Sequence, residues 1–175
     1  MSVRVFTVGH GARAAEELVQ VLREAGVETV VDVRRFPGSR RHPQFNREAL
    51  AAALEQAGLA YVHAVELGGR LSREPGEERF SCIRVAAFRS YAARMGTPEW
   101  QDALERELAR PGPCFLCAET LWWRCHRRLI AELLHARGHD VVHLLKPGHS
   151  EPHREWAPIS EVRDGVLHLC GEPVA

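Results

Sequence analysis

Apolar positions along this chain recur in two rhythms, one of runs and one of helical spacing. Val3–Val8 is apolar and β-branched, which predicts a strand. Ala14–Ala25 places Leu18, Val21, Leu22 and Ala25 at helical spacing, and Gly26 closes it. Glu28–Val33 reads as a second, buried strand. Arg47–Ala57 is helical through Leu50, Ala53, Leu54 and Ala57, closed by Gly58, and Leu59–Val65 is a third strand. Gly68–Ser81 is a polar loop with Gly68, Gly69, Pro75 and Gly76, long enough for a compact domain to suggest a functional role. Ile83–Met95 and Pro98–Leu108 are expected to be helices, the second with a first-turn proline after Thr97. Pro113–Cys117 is a fourth strand, Cys125–Arg137 a helix ended by Gly138, and Asp140–Leu145 a fifth strand. Lys146–Pro158 reads as a proline- and histidine-rich linker. Ile159–Val162 and Val166–Leu169 flank Asp164-Gly165 as a terminal hairpin.

Strands that alternate with helices imply an α/β fold. The expectation is one domain over residues 1–175: a mainly parallel five-stranded sheet, helices on both faces and a small C-terminal hairpin. Right-handed crossovers then bring all the strand carboxyl ends to one edge, where α/β proteins bind ligands.

Composition narrows the class only a little. The chain is 45% hydrophobic and 26% charged, the profile of a soluble globular protein. Its 23 basic and 23 acidic residues cancel, so overall charge does not argue for nucleic acid. No apolar run reaches the length of a membrane span, and no membrane partner is expected. Met1–His10 reads as a strand and not as a signal peptide. Five irregularly spaced cysteines do not suggest a disulfide framework, and a cytoplasmic location is expected.

Candidate chemistry gathers at the carboxyl edge. Gly9 and His10 follow the first strand. Arg34, Arg35, Ser39, Arg40 and Arg41 follow the second. Tyr61 and His63 lie on the third, which leads to Glu66 and Gly68-Gly69-Arg70. Cys117 and Glu119 end the fourth strand, with Cys125, His126 and Arg127 beyond a short loop. His143 and Lys146 come from the fifth. The segment from Arg34 to Arg47 holds five arginines and no acid, and arginine forks suit phosphate and carboxylate. Pro37, Gly38 and Pro43 stiffen it. Asp32 is expected to orient Arg34 or a loop amide.

The cysteines admit several readings. Cys114 and Cys117 form a C-x-x-C whose side chains point opposite ways on a strand, against a redox pair or zinc knuckle. Cys117 and Glu119, two apart, would face one side. Cys125 near a helix start gains from the helix dipole, Arg124 and Arg127, whereas Cys117 could be a buried small hydrophobe. The sixth residue after Cys117 is Trp123, not the arginine of a Cys-x5-Arg phosphate loop. The ten histidines include no His-Glu-x-x-His. Cys117, Cys125, His126 and His10 could surround zinc, but their spacing fits no tight ligand pattern, so no metal is assigned. Trp122 and Trp123 could stack on a base or close the core.

Together these residues resemble domain-of-unknown-function family 488, a bacterial and archaeal family of uncharacterised proteins. The resemblance is carried by Thr7-Val8-Gly9-His10, Val31-Asp32-Val33-Arg34 with Pro37-Gly38-Ser39-Arg40, and Gln44-Phe45-Asn46. It continues through Tyr61 with Leu67-Gly68-Gly69, Phe88-Arg89-Ser90-Tyr91 with Met95, Cys117-Ala118-Glu119, Cys125-His126-Arg127, and Val142-His143 with Pro152-His153. One departure is the loop Thr120–Arg124, whose two tryptophans stand where the family usually has a polar or proline-containing segment. The resemblance implies a fold and a shared site but no established activity.

The residues support an enzyme acting on a phosphate-bearing small molecule, nucleotide or nucleic-acid component, in the hydrolase or transferase class. Glu119 with His10 or His126 would transfer protons. Cys117 or Cys125 could be a nucleophile. Arg34, Ser39, Arg40, Tyr61, Gly68, Gly69, Tyr91 and Arg127 would form the anion and substrate site. The alternatives are a non-catalytic nucleotide or nucleic-acid-binding module and a cysteine-dependent, rhodanese-like sulfur transfer. The expected partner is an anionic small molecule or nucleotide, with nucleic acid possible. The residues name neither a cofactor nor an oligomeric state.

Overall fold

The structure is a computed structural model, and it describes residues 1–174. In chain order its elements are β1 (Arg4–Gly9), α1 (Ala15–Glu24), β2 (Thr29–Asp32), α2 (Arg47–Gln56), β3 (Ala60–His63), α3 (Ala86–Met95) and α4 (Pro98–Leu108). Then follow β4 (Pro113–Cys117), α5 (Arg127–Ala136), β5 (Asp140–Lys146), β6 (His149–Pro152), β7 (Ser160–Arg163), β8 (Val166–Leu169) and β9 (Glu172–Pro173). The main sheet has six strands in the order β3-β2-β4-β1-β5-β6. The first five are parallel, and β6 pairs antiparallel with β5. The expected five-stranded sheet is therefore one strand short. The extra strand comes from the stretch read as a linker, because Pro147-Gly148 reverses the chain and lays His149–Pro152 along β5. The terminal hairpin likewise gains a third short strand, β9.

Helices cover both faces, as the apolar runs of the strands require. Leu18, Val21 and Leu22 of α1 and Leu50 and Leu54 of α2 pack with Val8, Val30, Cys114 and Leu116 on one face. Tyr91, Trp100, Leu104, Leu129 and Leu133 of α3, α4 and α5 pack with Val5, Val31, Phe115 and Cys117 on the other. Each fully buried Val or Leu contributes roughly 1.5–3 kcal/mol relative to exposure. Cys114 and Cys117 fall in opposite cores, as strand alternation predicts. Cys82 and Cys170 are bonded, with Cα atoms 5.7 Å apart, a pairing that corrects the expectation of no disulfide. Spacing could not reveal it, because the β7–β9 sheet alone brings Cys170 to the turn holding Cys82. Among the described residues no helix is long and apolar enough to cross a membrane.

A buried polar chain crosses the second core. Arg127 Nη1 donates to Thr7 Oγ1 at 3.2 Å, and Thr7 Oγ1 lies 2.6 Å from His143 Nδ1. His143 Nε2 lies 2.9 Å from His153 Nδ1, and His153 Nε2 is 3.1 Å from Glu132 Oε1. Ser160 Oγ donates to Glu132 Oε2 at 2.8 Å. Thr7 Oγ1–H can donate to His143 Nδ1 and His143 Nε2–H to His153 Nδ1, whereas His153 Nε2 and Glu132 Oε1 meet at ion-pair distance without forming a hydrogen bond. Burial first, then His153 and Arg127, lowers the His143 pKa to about 2. The unfolded imidazole titrates near 6.5. The unfolded chain therefore binds the proton first as pH falls, and stability drops once pH passes below about 6.5. Urea midpoints measured from about pH 7.5 to 5 should show this decline, and His143→Gln should flatten part of it. Equal slopes in the two proteins would dissociate the decline from His143.

Candidate active site

The sheet has a switch point between β1 and β4. The chain leaves β1 through α1 on one face, and leaves β4 through α5 on the other. A crevice opens where neighbouring strands send their connections to opposite sides. His10 N–H donates to Cys117 O and Gly11 N–H to Ala118 O, both at 2.9 Å, so the two strand ends stay zipped into the crevice. Gly9 is required there, since a Cβ would collide with the Glu119 carbonyl.

A cavity of about 640 Å³ occupies this crevice, within the range of small-molecule sites. His10, Arg34, Ser39, Gly69, Cys117, Glu119, Cys125 and His126 all line it. These are the expected residues that the fold brings together. Arg40 is exposed outside the lining, and Tyr61, Gly68, Tyr91 and Arg127 act behind the wall. Tyr61 O–H donates to Asp32 at 2.6 Å, and burial followed by that bond pushes the phenol up. Tyr91 is buried, donates to Leu67 O, and sets its ring against that of His126 at 5.0 Å. Gly68 allows the chain to pass Arg35, whose Cα would lie 3.0 Å from an added Cβ.

Several expected roles change. Arg34 is not a free fork. Its Nε and Nη2 donate to the two oxygens of Asp32 at 2.9 and 2.7 Å, and Nη1 donates to Phe45 O at 2.8 Å. Asp32 is fully buried and Arg34 only 7% exposed, so the pair is a wall with its charge already matched. Arg127, 1% exposed, holds Thr7 and the carbonyls of Glu119 and Thr120 instead of a ligand. Glu119 does not end a buried strand. The strand stops at Cys117, the chain turns, and Glu119 is exposed at the cavity rim with Oε1 accepting Leu121 N–H. Trp122 closes the core, stacked on His143 at 4.2 Å and donating to Glu151, while Trp123 is partly exposed.

His10 is held as a neutral ring. Its Nδ1–H donates to Gly11 O at 2.8 Å, and Nε2 faces Arg34 Nη1 at 3.3 Å. Its face stacks on Phe45. Burial lowers its pKa to about 4. Both ring nitrogens are thus engaged, which suits positioning Arg34 better than exchanging protons.

The floor is the cluster Cys117, Cys125 and His126. His126 Nε2 donates to Val33 O at 3.1 Å, which leaves Nδ1 as a lone pair. Nδ1 faces Cys125 Sγ at 3.6 Å and Cys117 Sγ at 4.0 Å. Arg127 N–H, at the start of α5, donates to Cys125 Sγ at 3.4 Å. The hydrogen bond to Cys125, then burial, pushes the Cys117 thiol up to about 12. Burial also raises Cys125, but Cys117 and Arg127 outweigh it and bring that thiol down to about 6.

The free positive charge sits on arginines that the sequence places at this edge or beside Cys125 but that are not among the residues expected to hold the anion. Arg35, Arg70 and Arg124 line the cavity, and none forms an ion pair among the described residues. Arg70 has φ 55, a left-handed conformation that is costly away from glycine and collects at functional sites. Phe36, 65% exposed, and His42 complete the mouth. The run Arg34-Arg35-Phe36-Pro37 held the signal for Arg35 and Phe36: the residues after a buried strand end must turn into the crevice.

The model of the family described as "Domain of unknown function DUF488" matches residues 14–134, more than half of the chain, and the chain belongs to that family. No curated protein and no solved structure matches it.

Proposed function

We propose that the cavity is the active site of an enzyme acting on a phosphate-bearing small molecule, nucleotide or nucleic-acid component. The observation that carries this reading is a single concave site with unpaired arginines at its mouth and two thiols with an imidazole at its floor. Arg35, Arg70 and Arg124 hold the anion. Ser39 stays in the loop, where its Oγ accepts Arg41 N–H and His42 N–H and shapes the mouth. Glu119 is the proton-transfer group at the rim, and the floor cluster faces the reacting atoms. Asp32, Arg34, Tyr61 and His10 form the rigid wall against which the ligand is placed.

A non-catalytic anion-binding module would use the same arginines. It would have no use for thiols and an imidazole converging beneath them, and this favours the enzyme.

The test is anion binding. Pyrophosphate and a nucleoside diphosphate should bind with an affinity that falls as salt rises, since exposed charges are screened over about 8–10 Å. Arg35→Ala with Arg124→Ala should weaken binding at least tenfold, about 1.4 kcal/mol, without changing the melting temperature. Both side chains are exposed and carry no core contact. Salt-independent binding, or unchanged affinity in the double variant, would overturn the anion reading.

A further inference from the structure

We propose that Cys117, Cys125 and His126 bind one zinc-class divalent ion, with its fourth coordination position open to the cavity. The use of that position by an anionic ligand rests on the function proposed above. Binding of the ion does not.

Three donor atoms of the right kind already converge. The two Sγ atoms and His126 Nδ1 all lie within 4.8 Å of one another. The Nδ1 distances are 3.6 Å to Cys125 and 4.0 Å to Cys117. A tetrahedral zinc with sulfur at about 2.3 Å and nitrogen at about 2.0–2.1 Å separates such ligands by roughly 3.5–3.8 Å. Only small side-chain adjustments separate the present cluster from that arrangement. Thiolate and imidazole together select zinc over magnesium or calcium.

The surroundings fit a metal ligand set independently. His126 gives its other ring N–H to the Val33 carbonyl, the outer contact that fixes the tautomer of ligating histidines. Tyr91 packs against the same ring. Arg127 N–H donates to the sulfur of Cys125, which stabilises a ligating thiolate. Gly69 leaves the Nδ1 side clear, since a Cβ there would lie 2.7 Å from Nδ1. The ligands stand on rigid supports: Cys117 at the end of β4, and Cys125 and His126 at the entry of α5. The other cysteines are excluded, Cys114 by its position on the opposite face and Cys82 and Cys170 by their bond.

Three protein ligands and an open position are the pattern of catalytic zinc rather than structural zinc. All three ligands line the cavity, so the open position faces the arginine-lined space. Both sulfurs bind as thiolates, any proton they still carry passing to solvent, and the two thiolates balance the charge of the ion.

The experiment uses the whole chain, stripped with a chelator and kept under inert gas without reductant, which preserves the Cys82–Cys170 bond. Cobalt(II) is titrated first and then displaced by zinc(II). The expected result is about one equivalent bound, a thiolate-to-cobalt absorption band, and release of about two protons per ion at a pH where the thiols are protonated. Cys117→Ser and Cys125→Ser should each lose more than the roughly 10–100-fold that removal of an outer contact costs. Gly69→Ala should also weaken binding, whereas Cys114→Ser should not. Absence of the band in folded wild-type protein overturns the proposal, as does undiminished affinity in Cys125→Ser. Pyrophosphate binding by the metal-free chain is measured in parallel. If it persists while the cobalt band is absent, the metal site falls and the anion site stands. If the band forms and no anion binds, the reverse holds.

Discussion

Glu119→Gln is expected to lower turnover about a hundredfold or more while leaving anion affinity and melting temperature near those of the wild type. The geometry makes this substitution unusually clean. Glu119 is exposed at the rim, and among the described residues it forms no ion pair. Its one hydrogen bond accepts Leu121 N–H through Oε1, and the amide oxygen of glutamine can accept the same bond. Stability therefore has little reason to change. Only the ability to take up and release a proton is lost. Turnover is read on substrates found by screening phosphate-bearing metabolites, with binding and melting followed on the same preparation. A module that merely binds would show no loss in any of the three readouts. Full turnover in the variant would remove Glu119 from the mechanism even if the cavity is the right place.

The elements that were legible in the sequence are those whose own residues bury them. Val3–Val8, Glu28–Val33 and Pro113–Cys117 are apolar runs, and each forms a central strand of the sheet. Leu18, Val21 and Leu22 repeat at helical spacing because one face of α1 meets the sheet. The strand β6 was not legible. Its residues His149–Pro152 are polar, and its pairing is dictated by the reversal after β5 and not by burial. The convergence of His10, Arg34, Cys117, Glu119, Cys125 and His126 on one crevice follows from strand order and parallel topology, which the alternation of elements implies. What individual side chains do there was less accessible. Arg34 and Arg127 read as anion binders because arginine is usually exposed, yet both are buried on internal acceptors. No local pattern distinguishes a guanidinium that meets a ligand from one that meets Asp32 or a carbonyl of the next loop. The thiol–imidazole cluster was obscured for a related reason. The spacing from Cys117 to Cys125 means little until the turn after β4 folds back onto the start of α5.

Asp32→Asn should be the most destabilising single conservative change in the site, by about 3–5 kcal/mol. Asp32 is completely buried, and four donors converge on its two oxygens. They are the Arg34 backbone N–H, Arg34 Nε, Arg34 Nη2 and the Tyr61 hydroxyl. Asparagine keeps the shape but replaces one acceptor with an N–H donor, which then opposes either Arg34 or Tyr61. It also leaves the buried guanidinium without its counter-charge. For a chain of this size each kcal/mol shifts the melting temperature by roughly 2–4 °C, so the loss should be on the order of 10 °C. Tyr61→Phe is the calibrating variant. It removes one hydrogen bond to a charged acceptor and leaves the ion pair intact, and should cost only about 1.5–3 kcal/mol. Urea midpoints of the two variants and the wild type give both values. The consequence for the site follows from the same contacts. Arg34 Nη1 is the group facing His10 Nε2, and Phe45 O fixes that nitrogen in place. When Asp32 no longer anchors the guanidinium, the wall beside the floor cluster loses its definition, and anion affinity should fall in the fraction that remains folded. If Asp32→Asn instead melts with the wild type, the counter-charge does not hold Arg34. Its place in the wall must then rest on the Phe45 carbonyl and on His10 alone.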